Sequence, residues 1–218
     1  MTDPTPPVSP AEELRTSYDA VAQVYEQRYG EELRHKPLDR ALLRVFGNDV
    51  GPASVVGDVG CGPGHITAHL RKLGLRPVGI DLSPRMIELA HERFPDVDFA
   101  VGSMLALSAD DHSWAGMVAF YSIIHLTSEE LPVAFAEFHR VLVAGAPVLL
   151  AFHVGDEVRL VDELLEQTVS VDFHFRQPAD VIRPLQAAGF DVVMSLERAP
   201  YISIEAPTQR GYLLARAR

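Results

Sequence analysis

The chain reads as an α/β protein with a parallel sheet and helices on both faces. Three observations say so. Apolar strand-like runs alternate with helix-period segments between residues 54 and 152, the pattern of parallel strands joined by helical crossovers. Val55-Val56-Gly57-Asp58-Val59 runs directly into Gly60-Cys61-Gly62-Pro63-Gly64-His65, a buried strand breaking into a glycine turn and a helix start. A second strand signal closes on Gly79-Ile80-Asp81, with Asp81 21 residues after Gly60. At that interval the end of the next parallel strand can place an acid on a ribose hydroxyl pair.

Residues 1–9, rich in proline and small polar residues, are expected to form a disordered tail, because they bury too little to offset ordering entropy. The remainder, 10–218, is expected to be one domain, in which 10–50 form N-terminal helices. The first of these starts after Ser9, with Pro10 at its first position and Glu12 and Glu13 in its first turn. Leu14, Tyr18, Val21 and Tyr25 share one of its faces. A shorter helix spans Pro37 to Phe46 and stops at Gly47-Asn48. Strands follow near 54–58, 76–80, 97–101, 115–121 and 146–152, with helices near 64–73, 84–93 and 129–142. Pro178–Ala188 reads as helix, Phe190–Leu196 and Gly211–Ala215 as strands. Between the fifth strand and this last helix, 154–177 fits the alternation least. There Val169, Val171, Phe173 and Phe175 alternate with Ser170, Asp172, His174 and Arg176, an extended segment with one apolar face.

Glycines at 60, 62 and 64 let the backbone approach a ligand closely, since no Cβ intervenes and positive φ is allowed. A dinucleotide fingerprint needs a small residue where His65 stands, which counts against a nicotinamide oxidoreductase. The pattern, with Asp58 before the turn, resembles motif I of the class I S-adenosylmethionine (SAM)-dependent methyltransferases. The resemblance extends to Ser17-Tyr18-Asp19 with Ala22 and Tyr25, and to Gly79-Ile80-Asp81-Leu82-Ser83 with Met86. It continues through His139-Arg140-Val141-Leu142 before Gly145 and through Ala187-Ala188-Gly189-Phe190, covering residues 15 to 218. It implies a Rossmann-like, doubly wound, mostly parallel seven-stranded sheet. The last strand should be antiparallel beside the fifth, the N-terminal helix should serve as a lid, and 154–177 should be a substrate-covering insert.

The resemblance further implies SAM as cofactor and a small-molecule acceptor with an O, N or S nucleophile. Gly60, Cys61, Gly62, Pro63, Gly64 and His65 would form the loop around its methionine end, and Asp58 would orient that loop and help to hold the ammonium. Asp81, with Leu82, Ser83 and Met86, would bind the ribose side through charge-assisted hydrogen bonds. After the third strand, Gly102-Ser103-Met104 stands where the family usually has an acid for the adenine amine, so adenine recognition falls to Ser103, Met104 packing and backbone groups. Tyr18 and Tyr25 would close over the cofactor. Tyr121 and Ser122 end the fourth strand, where substrate meets cofactor in doubly wound sheets. There His125, with a near-neutral reference pKa, is the candidate general base. His153, His174 and Arg176 are candidates for a polar wall around the acceptor. Two other readings share the fold: a SAM-binding enzyme that does not methylate, such as a cyclase or decarboxylase, and a non-catalytic SAM-binding regulator.

Composition narrows the function. A net charge of −11 gives no footprint for a polyanion, so no nucleic-acid partner is expected. No apolar run reaches membrane-spanning length, and the start lacks the basic and apolar segments of a signal peptide. The single cysteine, Cys61, rules out an internal disulfide and points to a reducing cytoplasm. Nine histidines are scattered without ligand spacing, so no metal is expected. The resemblance admits a homodimer.

Overall fold

The computed structural model describes residues 9–218; the start of the expected tail, 1–8, lies outside them. Ser9 is not tail but the cap of the first helix, its hydroxyl accepting from the Glu12 N–H. The helices are α1 (Pro10–Tyr29), α2 (Pro37–Val50), α3 (His65–Lys72), α4 (Pro84–Arg93), α5 (Glu130–Val141) and α6 (Pro178–Ala187). The central strands are β1 (Val55–Val59), β2 (Arg76–Asp81), β3 (Asp98–Val101), β4 (Gly116–Phe120) and β5 (Pro147–Val154). A hairpin, β6 (Val158–Leu164) and β7 (Gln167–His174), precedes α6, and β8 (Phe190–Arg198) and β9 (Gln209–Ala217) complete the chain.

Seven strands form one sheet in the order β3-β2-β1-β4-β5-β9-β8. β1 to β5 pair in parallel, and β9 inserts antiparallel between β5 and β8. The order reverses at β1 and β4, so a crevice opens at their carboxyl ends, where ligands bind in such sheets.

Alternation along the central strands explains why both faces are covered. Met117, Ala119, Val148 and Leu150 pack under Phe135 and Phe138 of α5 and Val181 and Leu185 of α6. Val118, Phe120, Leu149 and Ala151 face the other way, onto Leu43 and Phe46 of α2 and Ile66 and Leu70 of α3. A strand buried on both sides reads as a continuous apolar run, as β4 does.

One expectation needs correcting and another extending. α2 passes through Gly47-Asn48 and ends only before Gly51, where φ is +86°. The 154–177 segment holds more than the extended stretch expected at 169–176: that stretch falls on β7, which pairs antiparallel with β6 in a hairpin. Its odd-numbered face, Val169 and Val171, packs on Val21, Leu14 and Tyr18 of α1.

Candidate functional site

The glycine turn rises from β1 with φ of +74° at Gly60, +53° at Gly62 and +81° at Gly64. The N–H groups of Gly60 and Cys61 both donate to the Ile80 carbonyl, at 2.7 and 3.0 Å, drawing the turn over the end of β2. A Cβ on Gly60 would stand 2.2 Å from that of Ser122, whereas one on Gly62 would meet nothing within 4 Å. The side of Gly62 is therefore an open cradle. Asp81 supports it: Oδ2 accepts from the Gly62 N–H at 2.7 Å and Oδ1 from the Ser83 N–H at 2.9 Å. Burial raises the Asp81 pKa, and these N–H bonds oppose the shift.

From this turn a cavity of about 420 Å³ runs along the strand ends to the hairpin, within the usual range for small-molecule sites. Gly60, Gly62, Asp81, Leu82, Ser83 and Met86 line its inner end. Gly102, Ser103 and Met104 form one flank, and Tyr121, Ser122 and His125 another. Tyr18, Tyr25 and His174 also line it. Ser103 accepts from the Leu105 N–H at 3.2 Å, shaping its own turn. Ser83 caps α4 by accepting from the Met86 N–H and donates to Asp19 of α1 at 2.6 Å, a pin between helix and cavity floor.

Tyr121 has a φ of +54°, unusual for a bulky residue and costly unless held in place. Its hydroxyl lies 3.0 Å from that of Tyr212, which donates to Asp39 at 3.1 Å. Lys36 and Arg210 sit over its ring, with Nζ 5.1 Å and the guanidinium 5.6 Å from the centroid. The turned backbone brings Ser122 Oγ to the Val59 carbonyl at 2.7 Å and sets up the short turn carrying His125. Burial pushes the His125 pKa down to about 4.

Several expected residues lie elsewhere. Asp58 is buried beneath the turn and accepts from Thr67 at 2.6 Å. Burial raises its pKa to about 6 against that bond, so it braces the turn and does not wall the cavity. Cys61 is a packed side chain against Phe99 and Ile87, its thiol pKa pushed up by burial. Pro63 and Gly64 complete the turn outside the cavity wall. His65 opens α3 and turns to Glu32, 3.4 Å away. Arg176 is buried and donates to the carbonyls of Ile123 and Leu126, clamping the turn before α5. His153 lies by Thr208 and Arg210, packed on Tyr121 and Phe175. Neither lines the cavity; each is bonded to polar groups of its own surroundings.

Residues missed at first include Ser17, Asp19, Leu14 and Leu160. The last two line the cavity, while Ser17 bonds Ser170 and Asp19 bonds Ser83 and Arg85. Leu14 carried a signal through its helical face shared with Tyr18, and Ser17 and Asp19 through the motif around Tyr18; Leu160 carried none. No group of three or more acidic, histidine or cysteine side chains suited to a metal occurs among the described residues. Nor, among them, is any helix long and apolar enough to cross a membrane.

A cradle over two parallel strand ends, with an acid closing the second, has the geometry of the nucleoside sites of Rossmann-like sheets. Residues 56–145, which contain that cradle, match a family described as "Methyltransferase domain". Over those residues the chain is similar to methyltransferases. It is 34% identical over 89 residues to demethylmenaquinone methyltransferase of Chlorobaculum tepidum, covering 40% of this chain and 36% of that one. The chain thus spans about a third of that relative's length. An uncharacterised methyltransferase of Bacillus mycoides is 26% identical over 166 residues, covering 75% of this chain and 74% of its own. The fold is shared, with a TM-score of 0.74, by magnesium protoporphyrin IX methyltransferase of Synechocystis with bound SAM. The two are 16% identical, covering 98% of this chain and 100% of that one.

Proposed function

We propose that this protein transfers a methyl group from SAM to a small-molecule acceptor. The observation that carries the reading is the open side of Gly62, facing a cavity that continues past Ser122 to His125. The residues fit the donor: the turn and Ser122 would hold its methionine end, Asp81 its ribose, and Gly102, Ser103 and Met104 its base. The donor supplies a methyl already activated on a sulfonium, so the chain's work is alignment and exclusion of water. Tyr18 and Tyr25 on α1 cover the cavity from one side and the hairpin from another. His125 is the proton-taking group at the acceptor end, and His174 belongs to the acceptor wall. The single buried, free Cys61 supports the cytoplasm as its compartment.

Calorimetry with SAM, S-adenosylhomocysteine and NAD tests this directly. Both sulfur compounds should bind and NAD should not; micromolar NAD binding with none for the others would reject the reading. In a methylation assay, His125→Gln should lower turnover by roughly two to four orders of magnitude while leaving donor affinity nearly unchanged. Donor binding without transfer to any acceptor would favour a non-methylating member of the fold or a regulator.

A further inference from the structure

Tyr18 and His125 meet at the acceptor end of the cavity, Tyr18 Oη lying 2.7 Å from His125 Nε2. The other ring nitrogen, Nδ1, is 3.2 Å from the Asp172 carbonyl on β7. A carbonyl only accepts, so Nδ1 carries the hydrogen, and in the neutral ring Nε2 is then an acceptor. The low pKa of His125 keeps it neutral. Its one lone pair is thus already occupied by the Tyr18 hydroxyl. Its ring is also flanked by two others, with centroids 5.2 Å away at Tyr18 and 5.0 Å at Phe173. Only the phenol oxygen retains lone pairs for an incoming group.

Resting on the proposed methyl transfer, we propose that Tyr18 Oη takes the acceptor's proton while its own proton passes to His125 Nε2, so that the acceptor is an uncharged hydroxyl compound. The atoms balance. The X–CH3 bond forms as the S–CH3 bond of the donor breaks. The X–H proton bonds to Tyr18 Oη, the Tyr18 proton bonds to Nε2, and the positive charge lost at sulfur reappears on the imidazolium. No further reactant is needed.

The cavity wall agrees with an uncharged acceptor. Among the described residues, Arg15 is its one arginine or lysine, and it is taken up by Glu12 and by Asp19 at 3.0 Å. Nothing cationic is left to hold a nucleophile that arrives as an anion. The relay is also assembled from three separate elements, since Tyr18 comes from α1, His125 from the turn after β4 and the Asp172 carbonyl from the hairpin. Ser17 sets their register. Its Oγ donates to the Ser170 carbonyl at 3.2 Å and accepts the Ser170 N–H at 2.9 Å. It is a positioning residue, next to Tyr18 on α1, and its partner Ser170 lies two residues from Asp172 on β7.

The test combines a spectroscopic and a kinetic readout on the full chain. With nitrogen-15 histidine and bound S-adenosylhomocysteine, His125 should show the Nδ1–H tautomer with a hydrogen-bonded Nε2. In Tyr18→Phe the Nε2 signal should move toward that of a free imine nitrogen. Transfer from SAM to a naphthol, a naphthylmethylamine and a naphthalenethiol is then compared with synthesis of SAM from methyl iodide and S-adenosylhomocysteine, which moves no proton. Tyr18→Phe should lower the ratio of naphthol rate to methyl iodide rate by roughly 100-fold or more. An Nε2–H tautomer, an Nε2 signal unmoved in Tyr18→Phe, or an unchanged rate ratio overturns the relay. So does a wild-type enzyme that uses methyl iodide but methylates only the amine, only the thiol, or none of the three. Loss of S-adenosylhomocysteine binding in the wild type instead removes the methyltransferase reading beneath it.

Discussion

Asp81 both closes the second strand end and fastens the Gly62 N–H. Asp81→Ala should therefore weaken S-adenosylhomocysteine binding by about 1.5–3 kcal/mol, the size of hydrogen bonds to a charged group, as read by calorimetry. Two partly buried histidines give a pH signature. His125 and His153 have pKa values of about 4 and about 3, below the ordinary 6.5, chiefly through burial. The unfolded chain takes up protons that these rings refuse. The stability they contribute is therefore present above pH 6.5 and is lost as pH falls toward 4. Asp58, at about 6, acts in the opposite sense, keeping a proton the unfolded chain would release. His153→Gln isolates one contribution: between about pH 7 and pH 5 it should lose less stability than the parent in urea titrations. The glycines and Asp81 were legible in the sequence because a tight ligand turn admits few alternatives. Arg176 and His153 were not, because a polar side chain does not announce its partner, and theirs are buried carbonyls and Thr208.

α1 and the hairpin form one wall of the cavity through the Ser17–Ser170 pair of hydrogen bonds. Ser17→Ala removes the hydroxyl and leaves the Ser170 backbone groups without it, a loss of about 1–3 kcal/mol. Hydrogen exchange should speed up across both residues 10–29 and the hairpin, while α5 stays protected. Conversely, S-adenosylhomocysteine should slow exchange across 10–30 if α1 orders over the donor; equal rates with and without ligand would make α1 purely structural. The sequence showed β7 by its alternation but hid the hairpin. A two-residue turn with positive φ usually advertises itself by Asn or Gly, and here Leu165 and Glu166 adopt φ of +52° and +63°. α2 misled in the opposite direction, since Gly47 sits inside the helix and the stop is Gly51.

The two-sided sheet stands on a few large side chains. Phe135, fully buried between α5 and the strands, should cost about 3–5 kcal/mol when cut to alanine, read as a lower urea midpoint with an unchanged slope. The Phe46 side of the sheet should tolerate that change, because the strands separate the two cores. Strand order and helix placement were readable because apolar period and glycine breaks encode them locally. The far end of the cavity was not. It joins residues 18, 125 and 172, which share no local pattern and meet only after α1 and the hairpin have docked.

Ser17, Tyr18 and Asp19 are consecutive, yet they reach β7, the turn after β4 and the start of α4. Successive helical residues point about 100° apart, so α1 is gripped from three directions within a single turn. Sliding it by one residue would break every grip at once, with no partial arrangement in between. Opening should therefore be cooperative, like a key that either seats or does not. In stopped-flow measurements the donor should leave in one exponential phase, and loosening any one of the three grips should quicken that same phase without adding a second.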